Sequence, residues 1–137
     1  MKVVIDSNIF IMCLNPASKY NSVFTELVKG SYTLAVSTDI TFEYLEIFQQ
    51  KFQHTKAEMM NRFLRESNHV TNTDIYYYWS LISIDPDDNK YVDCAIAANA
   101  DYIVTNDKHF NILKQVSFPK VDCVAVEEFM EILKGFE

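Results

Sequence analysis

Residues 85–107 read "DPDDNKYVDCAIAANADYIVTND". The opening "DPDD" (85–88) is turn chemistry that can cap a helix, and "NKYVDCAIAANA" (89–100) is a largely apolar helix. "DYIVT" (101–105) is a short strand, and Asp107 lies just past its end. The first residues, "MKVVIDSNIF" (1–10), repeat the theme: an apolar run, "KVVID" (2–6), stops on Asp6, followed by Ser7 and Asn8. Asp, Ser and Asn are poor strand formers and good cap residues, so the reading is strand, then a turn into a helix with Asp6 at the joint.

The intervening chain alternates in the same way. "SKYNSVFTELVKG" (18–30) is helical, with Val23 and Leu27, and Phe24 and Val28, at i, i+4 spacing and Gly30 as the stop. "YTLAVS" (32–37) is a strand, and "TDITFEYLEIFQQKF" (38–52) a helix capped by Ser37 or Thr38. "TKAEMMNRFLRES" (55–67) is another helix. "DKHFNILKQ" (107–115) reads as helix, "VDCVAV" (121–126) as strand and "EEFMEILKGF" (127–136) as the last helix. Strands alternating with helices predict an α/β fold. The expectation is one domain over 1–137, with a mainly parallel sheet of about four or five strands covered by helices on both faces. In such sheets, sites form beyond the carboxyl ends of the strands.

The composition bounds the function. A chain of 137 residues, 49% hydrophobic, suits one core and argues against disorder. The three cysteines, Cys13, Cys94 and Cys123, form no CxxC and read as buried free thiols. The scattered histidines His54, His69 and His109 make no zinc pattern with them. A net charge of −7 argues against a protein that grips nucleic acid by a broad basic surface. No apolar run reaches membrane-span length and residues 1–15 lack a basic n-region, so the expected location is cytoplasmic.

Four acids stand out. Asp6 and Asp107 each follow a strand, and in a parallel sheet they share one edge. Asp93 sits in a helix that is apolar almost all round, where a charge is costly without a partner. Along 40–52 the apolar face is Ile40, Tyr44, Ile47, Phe48 and Phe52; Glu43 borders it and Glu46 faces water. Singly, Asp6 and Asp107 could equally be helix caps, and Glu43 a solvated edge residue. Asp85, Asp87 and Asp88 read first as turn residues, with Asp88 near enough to Asp93 to line the same cleft. Together, Asp6, Glu43, Asp93 and Asp107 suggest one carboxylate site, and such a site needs a cation. Oxygen ligands without Cys or His select Mg²⁺ or Mn²⁺, which suits phosphodiester hydrolysis. Ser7, Asn8, Thr105 and Asn106 are the polar residues placed to orient water and ligands behind them.

At this point the chain resembles the PIN domain family. The stretches that carry the likeness are "VVIDSNIF" (3–10), "VSTDITFEYLEIF" (36–48) and "YVDCAIAANADYIVTND" (91–107), with "KHF" after them. The "DPDDNK…VTND" form is similar to the branch of toxin components of toxin–antitoxin systems, akin to VapC. The resemblance implies a Mg²⁺- or Mn²⁺-dependent ribonuclease acting on RNA, an antitoxin that covers the acidic cleft, and a homodimer. Position by position, it implies that Asp6 is the first acid, Glu43 the helix glutamate, Asp93 the acid before the alanine run and Asp107 the last acid. Ser7 and Asn8 match the small polar pair, and Thr105 the polar residue before the last acid.

Rival readings fare worse. A receiver domain would want adjacent acids after the first strand and a phospho-acceptor after a central one, whereas "IDSN" has one acid and "YTLAVS" ends without one. A haloacid-dehalogenase-type phosphatase would want D-x-D, and Asn8 takes the second position. A non-catalytic PIN-like module binding RNA or protein, and a solitary RNA-processing nuclease, remain the alternatives. The stretch "NHVTNTDIYYYWSLISI" (68–84) is the least legible. Its alternation suits a strand or extended segment, and its "YYYWS" run (76–80) favours core or subunit-interface packing over stacking on bases.

Overall fold

The computed structural model describes residues 1–135. Five strands form one parallel sheet: β1 (Lys2–Ile5), β2 (Thr33–Val36), β3 (Val70–Asn72), β4 (Tyr102–Val104) and β5 (Cys123–Val124). Their order is β3-β2-β1-β4-β5. β1 is therefore central, and the chain builds outward on one side through β2 and β3 before crossing back to β4. Ile5 pairs with Val104, so the carboxyl ends of β1 and β4 lie side by side at the point where the winding reverses.

The helices are α1 (Ser7–Leu14), α2 (Asn21–Lys29), α3 (Thr38–Lys51), α4 (His54–Glu66), α5 (Asn89–Ala98) and α6 (Val126–Lys134). Both faces of the sheet are covered, and Val3, Val4, Ile5, Leu34, Ala35, Ile103 and Val104 have no exposed surface. This explains the unbroken apolar runs of the central strands. α2 ends as its sequence predicts. Gly30 takes φ 85°, and a Cβ there would come within 2.6 Å of the His69 ring, so no other residue fits without displacement. α3 is capped by Ser37, whose hydroxyl accepts from the Ile40 amide. On its inner face, Tyr44 stacks on Phe10 at 4.6 Å between centroids. The Tyr44 hydroxyl donates to the Ile5 carbonyl, which ties α3 to the end of β1.

Three expectations change. Residues 108–115 form a 3₁₀ segment (Lys108–Gln115), whose buried residues Phe110 and Leu113 stand three apart, the spacing that a three-residue turn brings to one face. The middle stretch contains only the short β3, and residues 73–82 form no regular element. Of the core or subunit-interface packing expected for its aromatic run, the core alternative is not found for the three tyrosines. Tyr76 is 87% exposed, and Tyr77 and Tyr78 are exposed as well.

The backbone of this segment is held by side chains of α5. Asp93 Oδ1 accepts from the Trp79 amide at 3.0 Å. Asn89 donates to the Ile82 carbonyl and accepts from the Ile82 amide, each at 2.8 Å. The strand pattern ends because these two polar side chains take over the work of a ladder. The last helix ends at Lys134, so Phe136 of the expected 127–136 helix lies outside the described residues. Among the described residues no helix is long and apolar enough to cross a membrane. Cys13 and Cys94 are buried free thiols, and Cys123 is half-buried.

Candidate functional site

Asp6 follows β1 and caps α1: its Oδ1 accepts from the Asn8 amide at 2.8 Å. Its Oδ2 accepts the Thr105 hydroxyl at 2.7 Å. Thr105 follows β4, and its oxygen accepts in turn from the Asp107 amide at 3.0 Å. The pairing of two neighbouring parallel strands thus places both acids at one edge, as the sequence predicts. Asp6 is buried, and that burial raises its proton affinity. The Thr105 and Asn8 hydrogen bonds pull the other way, while Asp107 and Glu43 add repulsion; the net shift is upward from 3.8.

Asp88 is the third acid of this cluster. It ends the 3₁₀ turn Pro86–Asp88 that leads into α5. Burial again raises its proton affinity, against a hydrogen bond to His109, and Asp85, Asp107 and Asp6 add to the rise. His109 Nδ1 lies 3.3 Å from Asp88 Oδ2 and 3.5 Å from Asp107 Oδ1. Asp107 also caps the 3₁₀ segment, accepting from the His109 amide at 2.9 Å.

Glu43 stands on the other flank, on α3. Ser7 donates its hydroxyl to Glu43 Oε1 at 3.1 Å, and Tyr91 donates to Oε2 at 2.5 Å. Tyr91 also accepts from the Ser7 amide, so α1, α3 and α5 meet at these three residues. Lys90 Nζ lies 2.8 Å from Glu43 Oε2 and 2.9 Å from Asp87 Oδ2, with only 12% of its side chain exposed. Burial opposes its charge, but Glu43 and Asp87 outweigh that and hold Lys90 above the ordinary lysine value. Glu46 is exposed, as its helical phase predicts.

Asp93 and Asn106 fall elsewhere. The Asp93 carboxylate serves the Trp79 amide, and burial alone raises its proton affinity, with no contribution from another acid. It lines a cleft of about 590 Å³ with Phe42, Glu43, Tyr78 and Lys90. The reason is helical phase. Asp88 and Asp93 are five residues apart, or roughly 140° around a helix, so they cannot point the same way. Asn106 Oδ1 accepts from the Val126 amide and pins the start of α6, turned from the acids. Sequence reasoning passed over His109 as a site residue and ranked Asp88 below Asp93. The signal for Asp88 was its place at the N-cap of α5, at the end of the DPDD turn.

The set brought together is therefore Asp6, Asp88 and Asp107, with Glu43 beside Asp6 and His109 beside the other two. Burial with mutual repulsion is the condition that a bound cation relieves, and carboxylate donors fit a hard divalent ion. Among the described residues, Asp85, Asp88 and His109 offer ligand atoms within 4.8 Å of one another.

Comparison with known proteins agrees with the fold. The sequence matches the family described as PIN domain over residues 2–109, and the chain belongs to that family. VapBC2 from Rickettsia felis, solved bound to a DNA fragment from its promoter, is similar with a TM-score of 0.62 and 22% identity, over 91% of this chain and 98% of that one. FitAcB from Neisseria gonorrhoeae is similar with a TM-score of 0.61 and 12% identity, over 91% of this chain and 98% of that one. The PIN domain endonuclease Utp24 is similar with a TM-score of 0.52 and 15% identity, over 90% and 84%. No curated protein matches the chain.

Proposed function

We propose that this PIN domain is a divalent-metal-dependent endoribonuclease, the toxin of a toxin–antitoxin pair. The observation that carries the reading is the convergence of Asp6, Asp88 and Asp107 at the carboxyl ends of β1 and β4. In this reading Asp6, Asp88 and Asp107 hold a Mg²⁺ or Mn²⁺ ion. An ion held there would supply a water of lowered pKa and charge neutralisation for the phosphodiester. Thr105 aims Asp6, and the Asn8 amide fixes its second oxygen. Glu43, held by Ser7 and Tyr91, lies where it can orient the attacking water. Lys90 offsets the charge of Glu43 and Asp87, which otherwise would repel a phosphate. Asp93, the fourth acid of the sequence reading, is assigned to holding the 73–84 segment rather than to the ion.

The toxin assignment is supported by structural likeness to VapBC2 and FitAcB, whose fold the chain shares. An antitoxin that places a basic side chain among these acids is the partner it entails, and a homodimer is part of the same proposal. Likeness to the Utp24 endonuclease keeps a solitary RNA-processing role as the second reading. The purified protein should cleave single-stranded RNA with Mn²⁺ or Mg²⁺ and not in EDTA. Asp6→Asn and Asp88→Asn should each abolish cleavage with the circular dichroism unchanged. Full activity in both variants would end the metal-nuclease reading. Co-expression with the neighbouring open reading frame separates toxin from solitary nuclease: only a toxin is silenced by it.

A further inference from the structure

His109 has an unusual position for a surface histidine. Its amide is fixed on Asp107 Oδ1 at 2.9 Å, so the residue cannot swing away as a unit. Its Nδ1 then faces two carboxylates at once, Asp88 at 3.3 Å and Asp107 at 3.5 Å. A neutral imidazole has one donor on that nitrogen at most, or a lone pair, so it can satisfy one carboxylate or neither. The Asp85 carboxylate closes the third side, with its oxygen within 4.8 Å of the Asp88 and His109 ligand atoms. Two cis ligands of an ion with bonds of about 2.1 Å stand roughly 3 Å apart. The His109–Asp88 separation is close to that value.

We propose that His109 is a ligand of a divalent ion, through Nδ1, in a nitrogen–oxygen set with Asp88 and Asp85 that shares Asp88 with the Asp6–Asp107 pair, and that the imidazole makes this set select Mn²⁺ over Mg²⁺. The inference rests on the metal-nuclease reading above and adds a donor that the acids alone do not supply. The chemistry follows from ligand softness. Mg²⁺ takes oxygen almost exclusively and keeps its waters, whereas Mn²⁺ accepts imidazole beside carboxylates. An all-carboxylate site discriminates little between the two ions; one imidazole shifts the balance toward the transition metal.

The test is electron spin-echo spectroscopy of the full-length protein with one equivalent of Mn²⁺. A ¹⁴N modulation from a directly bound imidazole is expected in the wild type and absent in His109→Gln. By calorimetry, His109→Gln should weaken Mn²⁺ binding about tenfold or more and leave Mg²⁺ binding within about threefold. Mn²⁺ that binds with no ¹⁴N coupling in the wild type overturns the proposal and leaves the metal-nuclease reading standing. So does an equal loss for both ions in the variant, which would make His109 an ion-pair partner of Asp88 instead. A wild type that binds no Mn²⁺ at all overturns both. The wild-type spectrum decides the point even where the variant folds poorly.

Discussion

Thr105 donates its hydroxyl to Asp6 Oδ2 at 2.7 Å, across the junction of the two central strands. The same oxygen accepts the Asp107 amide at 3.0 Å. One threonine thus ties the Asp6 carboxylate to the backbone of Asp107, about a hundred residues away in sequence. Thr105→Val keeps the shape and removes both bonds. It should lower Mn²⁺ affinity or cleavage rate by about tenfold to a hundredfold. It should also cost about 1–3 kcal/mol of stability, because the buried Asp6 carboxylate loses its hydroxyl donor. Thr105→Ser should restore most of both. Calorimetric Mn²⁺ titration and thermal melts of the two variants check this; a serine variant as weak as the valine one would mean that the methyl group, not the hydroxyl, matters.

Asp88 caps α5 and Asp93 lies within it, and the two should separate cleanly. Asp88→Asn should abolish cleavage. Asp93→Asn keeps an acceptor for the Trp79 amide while removing a buried charge, so it should retain activity and be as stable as the wild type or more so. Asp93→Ala leaves that amide unpaired and should cost about 1–3 kcal/mol. Denaturant melts and RNA cleavage on the three proteins measure this. An inactive Asp93→Asn with a live Asp88→Asn would return Asp93 to the ion.

Glu43 and Glu46 test helical phase. Glu43→Gln removes the charge that Ser7, Tyr91 and Lys90 hold in place, and the rate should fall at least about tenfold, or about 1.4 kcal/mol. Glu46→Gln should change the rate little, since an isolated exposed charge contributes little. Cleavage at fixed Mn²⁺ compares them, with circular dichroism as the check on folding.

Proton binding gives a fourth expectation. Asp6 binds its proton more tightly in the folded chain than its ordinary value of 3.8 implies, chiefly because it is buried. Its protonation therefore favours folding. The contribution is fully present below 3.8 and is lost as the pH rises through the higher folded value. In EDTA, Asp6→Asn, which has no such charge to bury, should gain on the wild type as the pH rises from 3.8 toward neutrality. Saturating Mn²⁺ should reverse the order, adding about 2.7 kcal/mol to the wild type at a hundred times its Kd. Melting curves of both proteins across that range, with and without metal, decide it; a pH-independent difference would mean that Asp6 is already paired with a cation.

The parts of this protein written in local signals could be read from the chain. β1, α2 and α3 carry a buried run, an i, i+4 stripe with a glycine stop, and a serine cap, and each element falls within three residues of its expected place. The strand-end acids Asp6 and Asp107 followed from topology, because parallel strands deliver their ends to one edge. For Asp93, an acid among apolar neighbours signals a partner without saying which. Its partner is a backbone amide fourteen residues upstream, and no pattern in α5 announces that. Residues 73–84 were illegible for the same reason. Their conformation is set by Asn89 and Asp93 rather than by their own periodicity.

The winding of the sheet divides the site between two consecutive lengths of chain. Residues up to Asn72 supply β1 to β3 with Asp6 and Glu43; residues from Asp85 onward supply β4 and β5 with Asp88, Asp107 and His109. The halves are joined at the sheet by the pairing of Val3, Val4 and Ile5 with Tyr102, Ile103 and Val104. A cut within the exposed tyrosine stretch leaves two fragments, each with an incomplete set of acids. Brought together on interacting carriers, they have a parallel seam along which to reassemble. Either piece alone carries an incomplete cluster of acids, and the pairing of β1 with β4 is what completes it.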